Sequence, residues 1–145
     1  LKAVVTQNID GLHQDAGSQT VYELHGSVLR NFCVNCNTFY DADFIRKAKD
    51  IPLCTKCGGI VKPDVVLYEE GLDDKIIRGS IDAISKADCL IIGGTSLTVQ
   101  PAASLVQYFS GKHLVLINKG DVFLPSGVEL VIREKIGEVF NKIKC

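Results

Sequence analysis

Hydrophobic and polar positions in this chain fall into short apolar runs that end abruptly in polar groups. Ala3, Val4 and Val5 form a β-branched run that switches at Thr6 to Gln7, Asn8 and Asp10, and a second run, 21–24, ends in His25-Gly26. Residues 62–70 read as a strand opened by Pro63 and closed by acids. Residues 73–87 are helical in period, with Ile77, Ile81 and Ile84 on one face and Asp73 available as cap. A buried strand at 89–92 runs into Gly93-Gly94-Thr95-Ser96, with Pro101 at the start of a helix over 102–109. Strands at 113–117 and 129–132 follow, and Ile136, Val139, Phe140 and Ile143 give a last helix its apolar face. Strands alternating with helices predict an α/β chain built on a Rossmann-type parallel sheet.

The polar ends of these strands are the first chemical signal. In an open α/β sheet ligands meet the carboxyl ends of strands, so amide and carboxylate groups there face a polar small molecule. Histidine titrates near neutrality, which makes His25 a candidate general base, while Asn8 and Asp10 suit a sugar hydroxyl or a water. Taken singly, each is better read as a capped strand end with a satisfied histidine. Two such clusters 15 residues apart favour a site.

Cysteine spacing is the second signal. Cys33-x-x-Cys36 and Cys54-x-x-Cys57 are separated by 17 residues, inside the spacing of a zinc ribbon, where each CxxC turn presents two sulfurs to one metal. Four thiolates complete a tetrahedron and leave no open position, so the metal is expected to be structural. Gly58-Gly59 suits the ribbon turn, and a short helix is expected over 43–49. A ribbon can also bind nucleic acid, but Arg46, Lys47, Lys49 and Lys56 are offset by Asp41, Asp43 and Asp50, with Phe39 and Tyr40 the only nearby exposed-aromatic candidates. A solvated face is the better reading. Cys89 and Cys145 are read as thiols without a role.

Composition narrows the class without adding chemistry. The 145 residues are 46% hydrophobic with a formal net charge of −1, which points to neither nucleic acid nor a membrane surface as partner. No apolar run approaches the length of a transmembrane span, and the cytoplasm is the expected compartment. The expected organisation is a first Rossmann segment over 1–29, a zinc module over 30–62 and a second Rossmann segment over 63–145.

The TQNIDGLH block, the Ala16-Gly17 pair and the ELHG block ending at Gly26 resemble the sirtuins, the NAD-dependent protein lysine deacylases, and GTSLTVQPAA from Gly94 extends the match. The resemblance implies that Gln7, Asn8 and Asp10 line the nicotinamide-ribose pocket and that His25 is the catalytic base, with Asn8 and Asp10 holding ribose and water. It implies NAD contacts at Gly94, Thr95, Ser96, Asn118 and Lys119, with Ile136 beside the adenine. Val66, Tyr68 and Val99 would line the tunnel for an acylated lysine of a protein substrate. His13 matches a position without a catalytic role and is expected to be a packed structural histidine. Glu69 stands where many members have glycine.

By the same resemblance the acyl oxygen attacks the nicotinamide-bearing ribose carbon, nicotinamide leaves, and His25 deprotonates a ribose hydroxyl on the way to free lysine and O-acyl-ADP-ribose. An ADP-ribosyl transferase and a non-enzymatic zinc-stabilised fragment are the other classes open to this sequence. The chain begins at Leu1 and lacks methionine, and the glycine-rich segment and first strand that sirtuins carry ahead of TQNID do not precede it. It is therefore expected to be an N-terminally truncated piece, inactive by itself and prone to self-association through open strand edges.

Overall fold

A computed structural model describes residues 1–143. Two compact units divide the chain, one spanning Ala3–Ile77 and the other running from Arg78.

In the first unit, β1 (Val4–Thr6) and β2 (Val21–Glu23) pair in parallel, Thr6 opposite Glu23. The connection holds a single helical turn, α1 (Leu12–Asp15), entered through Gly11 at φ 77° with the Asp10 carboxylate accepting from the Leu12 amide at 3.0 Å. Parallel pairing brings both strand ends to the same edge. The Leu24 amide continues the ladder to the Thr6 carbonyl at 2.9 Å.

The chain then turns at Gly26 into β3 (Gly26–Cys33), an eight-residue strand not foreseen from the sequence. It is the centre of an antiparallel sheet, flanked by β4 (Phe39–Asp41) and β5 (Val61–Val65). The sheet reaches beyond 30–62 at both ends, because β3 and β5 pair from Cys33↔Val61 to Gly26↔Val65. Between β4 and β5 lies α2 (Ala42–Lys47), capped by the Asp41 carboxylate, which accepts from the Phe44 amide at 2.8 Å. Gly26 has φ 74°, and a Cβ there would overlap the Asp64 carbonyl. Gly26→Ala should therefore cost about 2 to 5 kcal/mol, from the left-handed backbone and from overpacking together. Urea titration checks this as a lower midpoint at an unchanged slope; an unshifted midpoint would mean that the β3–β5 contact yields freely.

The strand expected over 62–70 ends early, at Val65. Glu69, in the stretch that follows, holds φ 70°, a conformation glycine takes without steric cost. This gives the departure at that position a backbone consequence.

The helix α3 (Asp74–Ser85), whose first four residues belong to the first unit, begins on the Asp73 carboxylate, which accepts from the Lys75 and Ile76 amides at 2.7 and 3.1 Å; the rest of the second unit is a sheet with short helices. The strands β6 (Cys89–Gly93), β7 (His113–Ile117) and β8 (Leu130–Ile132) pair in parallel in chain order, and α4 (Ile136–Phe140) closes the unit. Ile92, Leu114 and Leu116 form its core, under Leu97, Val106 and Phe109. The parallel ladders bear out the α/β expectation. Two details differ from it. β6 was expected to be buried, yet it is an edge strand among the described residues, with Cys89 exposed and Ile91 45% exposed. The helix over 102–109 is a 3₁₀ helix, Ala102–Tyr108, in which both the amide and the hydroxyl of Ser104 donate to the Pro101 carbonyl, a local bond that competes with α geometry. Cys145 lies outside the described residues.

Candidate active site and metal centre

In the first unit the paired ends of β1 and β2 set Gln7 against His25. The Nδ1 of His25 lies 3.1 Å from the Gln7 carbonyl oxygen. A carbonyl only accepts, so Nδ1 carries the proton in the neutral ring and Nε2 carries the free lone pair. The backbone of His25 is fixed as well, since its carbonyl accepts from the Val66 amide at 3.1 Å. Thr6, at the buried end of β1, accepts the Asn8 amide on its hydroxyl at 3.1 Å, which turns Asn8 and Asp10 outward, where both side chains are exposed. The structure thus joins Gln7, His25 and Val66. Tyr68 is wholly exposed, and His13 is half-buried.

Sequence reading missed the groups that hold this cluster. Glu23, 7% exposed, accepts from Gln14 Nε2 at 2.9 Å and from Arg30 Nη1 at 2.7 Å, and Arg30 Nε also donates to Asp64 at 2.9 Å. The residues involved stand 7 to 34 positions apart on different elements, which only the fold brings together. Only the ELHG match drew attention to Glu23.

The four cysteines of the paired CxxC motifs converge at the other end of β3. Their sulfurs all lie within 4.8 Å of one another, with Cys33–Cys57 at 3.4 Å and Cys36–Cys54 at 3.5 Å. Four sulfurs at about 2.3 Å from one zinc would stand about 3.8 Å apart, so the cluster fits the ion with little adjustment. Electrostatics favour a cation as well. The Tyr40 hydroxyl, donating to Cys54 Sγ at 3.1 Å, draws that thiol down to about 6. Cys57, despite the Gly59 amide that favours its thiolate, is pushed up to about 12 beside the sulfurs of Cys36 and Cys33. Without a dication the four groups cannot all ionise at neutral pH. Tyr40 also stacks on Phe44 at 4.2 Å between ring centroids and is half-buried, so it is a second layer to the cluster rather than a free aromatic.

In the second unit the parallel register places Gly93 beside Ile117 and Ile117 beside Ile132, so Gly94 and Asn118 leave the sheet at one edge. Gly94, at φ 65°, has open space where a Cβ would project, while Gly93 packs directly on the Ile136 side chain. The Thr95 hydroxyl accepts from the Leu97 amide at 3.1 Å, Ser96 and Thr98 share a hydroxyl bond at 2.7 Å, and the Asn118 amide group donates to the Gly120 carbonyl at 3.0 Å. Lys119 and Val99 are exposed. Residues 94–101 form a loop between β6 and the 3₁₀ helix, which begins at Ala102 behind Pro101, where the sequence puts a helix start.

Against known proteins, the model of the Sir2 family matches residues 1–101. An NAD-dependent protein deacetylase of Clostridium perfringens is 69% identical over 144 residues, covering 99% of this chain and 59% of that protein, and one of Clostridium acetobutylicum is 59% identical over the same share of each. Among solved structures, one described as Sir2-p53 peptide-NAD+ superimposes with a TM-score of 0.88 at 38% identity, over 98% of this chain and 61% of the other. The chain spans about three-fifths of the length of the relatives it matches. With the family model covering more than half of it, the chain belongs to the Sir2 family.

Proposed function

We propose that the protein carrying this chain is an NAD-dependent protein lysine deacetylase of the sirtuin type, releasing nicotinamide and moving the acyl group of a protein lysine to ADP-ribose. The observation that carries the reading is the His25 Nδ1 bond to the Gln7 carbonyl, which in the neutral ring puts the free lone pair on Nε2 at the end of two parallel strands. A lone pair so placed takes the proton of a sugar hydroxyl as that oxygen becomes a nucleophile. When bound, NAD supplies the electrophilic ribose carbon and the acyl acceptor. Gln7, Asn8 and Asp10 hold the ribose next to nicotinamide and a water, and Gly94, Thr95, Ser96, Asn118, Lys119 and Ile136 take the adenosine end. Val66, Tyr68 and Val99 face the acylated lysine. Cys33, Cys36, Cys54 and Cys57 hold a structural zinc in a module over 30–62, between Rossmann segments at 1–29 and 63–145.

Among the described residues no helix is long and apolar enough to cross a membrane, and the cytoplasm is the compartment we assign. Nucleic acid is not assigned as a partner. The free edges of β1 and β6, each paired on one side only among the described residues, support self-association of the 145-residue chain.

The test is mass analysis of products from an acetylated peptide and NAD. It uses the chain extended to its relatives' length, beside the 145 residues alone. Free lysine with O-acetyl-ADP-ribose is expected from the first and no turnover from the second. ADP-ribose attached to protein without lysine release would make the enzyme a transferase, and equal activity in both would show that the 145 residues suffice.

A further inference from the structure

We propose that Glu23 and Arg30 are positioning residues that hold His25 against Gln7 and Val66; this rests on His25 being the base. Glu23 is the last residue of β2, two before His25, and both of its carboxylate oxygens are engaged, one by Gln14 and the other by Arg30. Arg30 lies five residues after His25 on β3 and reaches with its Nε to Asp64 on β5. One guanidinium thus ties the strand that enters His25 to the strand whose continuation, Val66, donates its amide to the His25 carbonyl. Gln14 ties the same carboxylate to α1, which follows directly on the segment carrying Gln7, Asn8 and Asp10.

The β3–β5 ladder explains why side chains are needed for this. Its register runs Gly26↔Val65 and Ser27↔Asp64, then shifts, resuming only at Asn31↔Pro63. Arg30 and Asp64 bridge that interruption, where backbone pairing does not fix how β5 sits on β3. A buried carboxylate paired with an arginine is a weak source of stability, since apolar replacement of such a pair is often neutral. What the pair supplies is direction. Arg30 addresses two carboxylates on two strands through different nitrogens, a fork that lysine does not reproduce.

The experiment uses the full-length enzyme and compares Arg30→Met, Arg30→Lys and the double variant Glu23→Gln with Arg30→Met. Thermal midpoint, zinc content, kcat, and KM for NAD and for acetylated peptide are measured for each. Arg30→Met alone strands the Glu23 charge and is expected to lower the midpoint. In the double variant no buried charge is stranded, since Asp64, which also loses Arg30, is open to water, so the midpoint returns while kcat stays about 10- to 100-fold down at unchanged KM for NAD, the size expected when a reacting group is displaced by up to about 1 Å. Arg30→Lys keeps the charge and one of the two bonds, and its kcat is expected to fall between. A wild-type kcat in either the double variant or Arg30→Lys would overturn the proposal and leave the cluster a purely structural ion pair. His25→Ala, measured alongside, separates the two readings. If His25→Ala retains turnover, the base assignment and this proposal fall together; if it is inactive while the double variant is wild-type, only the positioning role is lost.

Discussion

Chelating the zinc proposed at Cys33, Cys36, Cys54 and Cys57 should unfold the module that those residues close, and the proposed deacetylation should be lost with it. The buried core there is small: Cys33, Cys54 and Val61, with Tyr40, Phe44 and Ile45 packed beside them. Two of its three buried members, Cys33 and Cys54, are proposed ligands. Such a core does not offset the ordering of its own backbone, whereas a structural zinc in a comparable peptide contributes an apparent ~10–16 kcal/mol at neutral pH. Loss of activity follows from β3, which runs unbroken from Gly26, next to His25, to Cys33, and pairs with β5 at both ends. Releasing Cys33 frees one end of the strand that sets His25. Zinc content, far-ultraviolet circular dichroism and deacetylation are followed through chelation and zinc return. The expected result is loss of sheet signal and activity in step, with recovery on zinc addition. A metal-free protein with intact secondary structure and turnover would show that the cluster does not hold the module together.

Much of this was legible in the sequence where one local rule acts alone. Val4 and Val5 giving way to polar residues, Asp73 ahead of the Ile77, Ile81 and Ile84 face, and the paired CxxC spacing each report a single physical requirement, and the structure meets each one. β3 was not legible because its pattern is inverted. Ser27, Asn31 and Cys33 point into the protein, while Val28 and Leu29 are exposed at 40% and 37%. Asn31, 1% exposed, is accommodated because its amide group donates to the carbonyls of Val28 and Tyr40 at 3.3 and 3.4 Å. The strand exists through pairing with β4 and β5, partners 7 to 39 residues away, and such pairing leaves no periodic trace.

The candidate site divides along the same line. His25, Asn8 and Asp10 are visible because two polar strand ends fall close together in sequence, and the block match sharpens them. Glu23 and Arg30 act through partners that only the fold brings near, so each alone looks like a surface charge. The Tyr40 hydroxyl is similar: in sequence Tyr40 is an aromatic between Phe39 and Asp41, and in the structure its hydroxyl donates to the Cys54 sulfur while accepting from the Thr55 amide at 2.8 Å.

Replacing His25 with Ala in the full-length enzyme should lower kcat by about 10²- to 10⁴-fold, the range for loss of a general base, while NAD affinity stays close to wild-type. The separation arises because a base acts on a proton in flight, so its removal is felt in the transition state more than in ground-state binding. The structure gives a reason to expect that the fold survives. The tie between this segment and Val66 runs through the His25 carbonyl, which alanine keeps, and the Gln7 carbonyl that loses its donor belongs to a half-buried residue open to water. Single-turnover assays with acetylated peptide, calorimetric NAD titration and a thermal melt together make the measurement. Near-normal turnover would remove His25 from the chemistry. A matching loss of NAD affinity and thermal midpoint would instead assign the imidazole to holding the ends of β1 and β2 together, with the proton taken by another group.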